Sequence, residues 1–435
     1  MKTTRKNFLV TSAFGTAGLA LSGTTGLLSL SGCDSMSIRQ LNEMRKKTQG
    51  RKRRIIMNND GNDVIAASKI TPFSSENLLK QRTLGLLEGS QVDTIFYCTG
   101  VFNLYFHQSE ESEIHTRRDP VMKEYLDHLK MQETDPIKLM TDFGHNNDKE
   151  IFWSMRMNDT HDSSKNSDYL FCQWKRDHPE FLVGKYEDKF PYGANRWSSV
   201  NYDIPEVREK VYRILYDVCS RYDIDGIELD FFRHPVLFKQ QMTGEPITGE
   251  QCDKMTGLMQ RIREMTDHLG VERKRPFLIA IRIPDSVGYC RAMGIDLISW
   301  LEKDLVDIIT GADYFKLEPW ENLVSLGQKY EIPVYACFEG RRIERTFGHP
   351  PDADESLPVW RGEAFNAWKA GINGIYTFNR SNPYDKLFRE IGDPELLAQL
   401  ERIDQTVYVN ENSWSRPEVW LKDGDKYVSE EIRKF

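Results

Sequence analysis

Two carboxylates, Glu228 and Asp230, sit one residue apart in the apolar run Gly226-Ile227-Glu228-Leu229-Asp230-Phe231-Phe232-Arg233-His234-Pro235. Side chains alternate faces along a strand, so the two acids point together while Ile227 and Leu229 point to the opposite layer. Acids aimed into an apolar interior are costly unless they are paired, hydrogen-bonded or used in chemistry. Asp230, nearer the end of the run, reads as a functional group, whereas Glu228 fits an ion pair equally well. A basic residue stands in a matching setting: Ala280-Ile281-Arg282-Ile283-Pro284 places a guanidinium inside an apolar strand, where it needs a carboxylate partner. Arg282 is expected to pair with Asp230 or Glu228.

These groups need a frame that brings distant segments together. Short apolar runs rich in Ile, Val, Phe and Tyr recur at 54–58, 94–98, 150–155, 226–230, 277–282, 306–310, 334–338 and 374–378, and helix-like stretches follow most of them. Strands alternating with helices argue for a parallel sheet, and eight is the number that closes a (β/α)8 TIM barrel. Between Pro205 and Tyr222 the residues Val207, Val211, Ile214, Leu215, Val218 and Cys219 fall on one helical face, with Asp203 as the expected cap. Further helices are expected over 251–269, 297–303, 321–330, 362–370 and 394–403. An open nucleotide-binding sheet would share the alternation, but Asn58-Asn59-Asp60-Gly61-Asn62 lacks the glycine fingerprint after the first strand. Long segments over 101–119 and 158–199 then become loops at the C-terminal face, where barrel active sites are built.

Residues Val200-Asn201-Tyr202-Asp203-Ile204-Pro205-Glu206-Val207-Arg208 and Tyr222-Asp223-Ile224-Asp225-Gly226-Ile227-Glu228-Leu229-Asp230-Phe231-Phe232 resemble the glycosyl-hydrolase-like family 10 and its barrel relatives. The chain departs from that pattern where Asn201 is followed by Tyr-Asp rather than Pro, and where Phe-Phe-Arg-His-Pro follows Asp230. The resemblance implies hydrolysis of a glycosidic bond in a poly- or oligosaccharide by carboxylates at strand ends, with Asp230 as one of them. Such cleavage needs a proton donor and a second carboxylate acting as nucleophile or base. Glu339, directly after the seventh strand and across the mouth from the fourth, is the first choice for the partner. Asp313 and then Asp285 are alternatives that spacing leaves open.

Other rim positions fit substrate binding: Asn59 and Asp60 after the first strand, Arg156, Asn158 and His161 after the third, Arg233 and His234 after the fourth, and Asn379 and Arg380 after the eighth. Trp197 and Tyr314 are the aromatics expected to stack on a sugar. The arginines would suit sulfated or uronic-acid sugars, whose oxyanions match a guanidinium fork. No cofactor is expected. A metal-dependent hydrolase would want His and Asp clustered at strand ends, and only His161, His234 and Asp230 hint at that; neither His-x-His nor His-Glu-x-x-His occurs where it would be needed. A glycan-binding protein that has kept the barrel and lost catalysis is the non-enzymatic alternative.

The ends read as address rather than fold. Lys2, Arg5 and Lys6 precede an apolar stretch that ends in Leu30-Ser31-Gly32-Cys33, which predicts a signal peptide over 1–32 and a lipobox with Cys33 as the lipidated residue of an exported cell-envelope protein. Arg5-Lys6-Asn7-Phe8-Leu9 also resembles a twin-arginine signal with one arginine replaced, which leaves the export route open. A polar tether is expected over 33–53, the catalytic barrel over 54–403 and a short extension over 404–435, covering the bottom or side of the barrel. Cleavage before Cys33 removes three cations and no acids, so the formal charge moves from −8 to −11 and nucleic acid is excluded as a partner class. The seven cysteines have neither metal nor redox spacing, so those beyond Cys33 are read as buried thiols. Oligomeric state leaves no signature.

Overall fold

In the computed structural model the described residues are 36–340, 354–404 and 413–433. Cys33, the stretch 1–32 expected to be a signal peptide, and part of the expected extension over 404–435 lie outside them. Eight parallel strands close into one barrel in which every strand neighbours the next in sequence and the last pairs with the first. They are β1 (Ile55–Asn59), β2 (Val92–Tyr97), β3 (Glu150–Arg156), β4 (Gly226–Asp230), β5 (Leu278–Ile283), β6 (Ile308–Gly311), β7 (Val334–Glu339) and β8 (Gly374–Phe378). All eight expected strands are present, with ends shifted by at most two residues.

The pleat sorts the side chains. Ile56, Phe96, Phe152, Leu278, Ala280, Ile308, Tyr335, Cys337, Tyr376 and Phe378 fill the barrel interior as one cluster, and the intervening strand residues join the larger core beneath the helices. Gly226 lets the interior fill at its lower end, because a Cβ there would come within 2.4 Å of the Phe152 ring and 2.5 Å of the Leu278 carbonyl. The helix Pro205–Arg221 buries the face expected of it. Its cap is a correction: Ile204 occupies the position and makes no side-chain cap, while Asp203 accepts from Gln240 (2.8 Å), Gln251 (3.3 Å) and Lys254 (3.0 Å). The helix expected over 394–403 is a single turn, Pro394–Leu397. Beyond it the chain turns back so that the Ile403 amide donates to the Pro358 carbonyl at 2.9 Å.

The polar tether is also corrected. Residues Ile38–Gln49 form a helix started by a Ser37/Gln40 capping box. Leu41 is buried, and Arg45 reaches Asp304 and, at 2.9 Å, Asp307. Of the basic run that follows, Arg53 is fully buried and donates to both oxygens of Glu150 at 2.6 and 2.9 Å, while Arg54 pairs with Asp93. Buried Glu150 and half-buried Asp93, at the lower ends of two strands, therefore capture cations that composition alone assigned to solvent.

Over the opposite, C-terminal face lie the two long loops. The first carries a small sheet of Gly100–Val101, Leu104–Tyr105 and Glu113–Ile114. The second is braced by Asn158, whose amide donates to the Val200 and Val236 carbonyls and whose carbonyl accepts from the Val200 amide. The extension belongs to this face rather than the bottom: Trp420 is fully buried, lies parallel to Tyr314 at 5.8 Å and stacks near His234. Cys98, Cys172, Cys219, Cys252, Cys290 and Cys337 are all buried, with no disulfide among the described residues. Among those residues no helix is long and apolar enough to cross a membrane.

Candidate active site

Strand register builds the site. Arg156, Asp230, Arg282 and Thr310 are successive neighbours across β3, β4, β5 and β6, and Glu339 ends β7 beside Phe378 of β8. The alternation that turns Phe152 and Leu278 inward at the lower end turns Asp230 and Arg282 inward at the mouth. Arg282 is completely buried. One terminal nitrogen donates to Asp230 Oδ2 at 2.6 Å, the other lies 2.8 Å from Asp313 Oδ2, and the Phe378 ring covers the guanidinium with its centroid 4.1 Å away. Asp313 reaches this point because Ala312, just past β6, turns the chain through a left-handed conformation (φ +67°).

Asp230 accepts only donors. Its Oδ1 takes the backbone amides of Phe232 (3.0 Å) and Arg233 (2.9 Å), and its Oδ2 takes Arg282. That is the environment of an ionised carboxylate. Asp313 differs: burial pushes its carboxyl up to about 7, the charges of Glu339 and Asp230 push the same way, and Arg282 opposes them. Glu228, one layer deeper, is pushed up to about 8 by burial and by the charge of Asp230. Its Oε2 accepts from Ser154 (2.5 Å) and Tyr376 (3.1 Å), and its Oε1 is buried without a hydrogen bond. One guanidinium thus serves one carboxylate fully, and burial raises the pKa of Asp313 and Glu228 beside it. Glu339 accepts from Asn379 Nδ2 at 2.7 Å.

A pocket of about 250 Å3 lies above this cluster, lined among others by Asp60, Arg117, Arg156, His161, Arg233 and Asn379. The carboxylates form its underside rather than its lining; Asp230, Asp313 and Glu339 are at most 3% exposed. Roomier hollows occur on the outer surface, where none of these groups takes part.

Asp159, His161 and His234 place one potential ligand atom each within 4.8 Å of one another. Their hydrogen bonds argue against a metal. His161 Nδ1 donates to Asp159 Oδ1 at 2.7 Å, and its Nε2 accepts from Arg233 at 2.9 Å. His234 Nδ1 accepts the Thr160 amide at 3.0 Å, which puts the ring proton on Nε2. Burial lowers the pKa of both histidines, assisted by Arg233 at His161 and by Arg196 at His234. A cation here would face the Arg156, Arg196 and Arg233 guanidiniums.

Several expected site residues have other employment. Asn59 is buried and bonded to Asp63 and the Gly61 amide. Asp60 reaches the pocket but is paired with Arg82. Trp197 stacks on Phe171 and donates to the Ser163 carbonyl, away from the cluster. Tyr314 gives its ring face to Trp420, so only its hydroxyl, which accepts from Arg233 at 2.8 Å, serves the site. His234 is buried beneath Trp414 and Trp420. Arg380 is buried against Asp385 at 2.5 Å. Asp285 clamps the segment after β6 through Lys316 and the amides of Leu317 and Glu318. Arg156, Glu228, Arg233, Arg282, Asp313 and Glu339 do gather around Asp230. Ser154 and Tyr376 were missed although strand alternation places both on the interior face. Asp159 and Arg117 sit in loops where nothing in the sequence distinguishes them.

No protein-family model matches the chain, and no curated protein matches it. Among solved structures it is similar to alpha-L-fucosidase isoenzyme 2 from Paenibacillus thiaminolyticus (13% identity, 80% of this chain and 49% of that one, TM-score 0.49). The chain thus spans about half the length of that protein. It is also similar to the catalytic domain of psychrophilic chitinase B from Arthrobacter TAD20 (8% identity, 84% and 99% covered, TM-score 0.44). Malate synthase from Haloferax volcanii aligns comparably (11% identity, 79% and 70% covered, TM-score 0.40). At these identities and scores the likenesses carry nothing about activity, and function has to be argued from the site.

Proposed function

We propose that the chain is a glycoside hydrolase in which Asp313 is the proton donor and Asp230 the ionised carboxylate facing the developing positive charge. The observation that carries this reading is the split between two carboxyls on one guanidinium. Asp230 is surrounded by donors, while Asp313 keeps its proton to about 7. Two acids driven apart by their surroundings are the arrangement general acid catalysis at a glycosidic oxygen requires. Arg282 positions both. Glu339, first choice from the sequence, now acts through its charge, which helps Asp313 retain the proton. Sequence support comes from the likeness of residues 200–208 and 222–232 to glycosyl-hydrolase-like family 10. Cys33 fits lipid attachment to a cell-envelope membrane, which labelling with a radioactive fatty acid, absent in Cys33→Ala, would test.

The test is turnover on a panel of oligosaccharides. The wild-type rate should fall as pH rises through about 7, where Asp313 loses its proton. Asp313→Asn should lose this limb and recover activity on aryl glycosides whose leaving group needs no proton. Asp230→Asn should be inactive on both substrate types. Wild-type activity in Asp230→Asn would sink the mechanism. The near-complete burial of the three carboxylates favours a second reading, a glycan-binding protein without catalysis; binding to the same panel with no turnover in wild type would select it.

A further inference from the structure

The mouth pocket holds more positive charge than its surroundings cancel. Arg156 is neutralised by Asp159 at 2.9 Å, and Asp60 is neutralised by Arg82. Arg117 and Arg233 have no carboxylate partner among the described residues. Arg117 donates to the Tyr169 hydroxyl at 3.0 Å and lies 4.7 Å from the centre of that ring. Arg233, 9% exposed, contacts the Tyr314 hydroxyl and the His161 ring, and its Nε is buried without a hydrogen bond. Neither histidine beside them adds or removes charge at neutral pH, since burial lowers the pKa of His115 to about 3 and that of His161 below its ordinary value. Burying a guanidinium without a carboxylate, as at Arg233, is expensive, and a chain that keeps it facing one cavity with half-buried Arg117 has left the counter-charge to be supplied from outside.

We infer that the pocket lined by Arg117, Arg156 and Arg233 binds an oxyanion, carried by the substrate as a uronic-acid carboxylate or as a sulfate or phosphate ester. The chemistry is the same for all three: flat or tetrahedral oxygens offered to guanidinium donors. A cavity of about 250 Å3 holds one such group with part of its sugar, rather than a chain of sugars. Its position beside Asn379, which donates to Glu339, and above the backbone of Arg233, which donates to Asp230, sets the bound anion next to the carboxylates. The identity of the carrier as a sugar rests on the hydrolase reading; the binding of the oxyanion does not.

Inorganic sulfate, inorganic phosphate and glucuronate are titrated separately into the full chain, with chloride holding ionic strength constant, and followed by calorimetry and by melting temperature. At least one should bind saturably at one site per chain, and the tightest identifies the substituent. Arg233→Gln should weaken it by about tenfold or more, the loss expected for a hydrogen bond to a charged group. Arg117→Gln, a half-buried position, should do the same and serves if the first variant folds poorly. Arg291→Gln, an exposed arginine paired with Asp296 on the outer surface, should bind as wild type does. The inference is overturned if no anion binds beyond the chloride control, or if both pocket variants keep wild-type affinity. Anion binding without turnover of any glycan would leave the pocket standing and remove the hydrolase, whereas turnover of neutral glycans without anion binding would do the reverse.

Discussion

Glu228→Gln should leave the fold intact and change how stability depends on pH. The side chain lies inside the barrel, with Ser154 and Tyr376 donating to one oxygen and no donor for the other. Burial, and then the charge of Asp230, raise its pKa from 4.5 to about 8. A carboxyl whose folded pKa is raised holds a proton in the native state that the unfolded chain has already released. Between pH 4.5 and about 8 the wild type therefore loses stability as pH rises, by about 1.4 kcal/mol per pH unit from this one group. Across the whole window that is of the order of 5 kcal/mol. Glutamine is a permanently neutral stand-in and escapes the loss. Any fixed cost of fitting its NH2 group shifts the curve without tilting it. Urea unfolding of both proteins at half-unit steps from pH 4.5 to 8.5 measures the difference in stability directly. The difference should move steadily in favour of the variant over this range and level off beyond it. A flat difference would mean that Glu228 is ionised when buried, and would refute the argument that one guanidinium leaves its other neighbours protonated.

Arg282→Met removes the only cation on Asp230 among the described residues and should cost about 3–5 kcal/mol, the penalty for stranding a buried charge, measured by urea unfolding near pH 7. Arg45→Ala should lower stability by about 2 kcal/mol, because Asp307 keeps Arg263 but loses its second partner. An unchanged midpoint would return Ile38–Gln49 to the role of a loose leader.

The barrel was legible because each strand is long enough to show its apolar run and short enough to be punctuated, and because eight such runs admit few closures. Asp230 and Arg282 were legible for a related reason: a charge in an apolar strand must find its opposite, and the register makes them neighbours. The same logic should have drawn in Ser154 and Tyr376, which lie two residues from Arg156 and Phe378 on the interior face. What sequence could not show is which face of a residue is already taken. Tyr314, Trp197 and His234 have the chemistry of a binding site, yet Trp420, Phe171 and Trp414 occupy them, and those contacts join segments up to more than a hundred residues apart. The basic run before β1 failed in the opposite sense. Its composition is that of solvated chain, but Glu150, Asp93 and Asp307 stand at the bottom of the barrel as fixed anions, and a nearby arginine becomes a structural group once such an anion is buried. Charge in this molecule is therefore read by counting partners layer by layer. Below, each buried arginine has its acid; at the mouth, Arg117 and Arg233 contact only neutral groups among the described residues, and that imbalance distinguishes a site from a core.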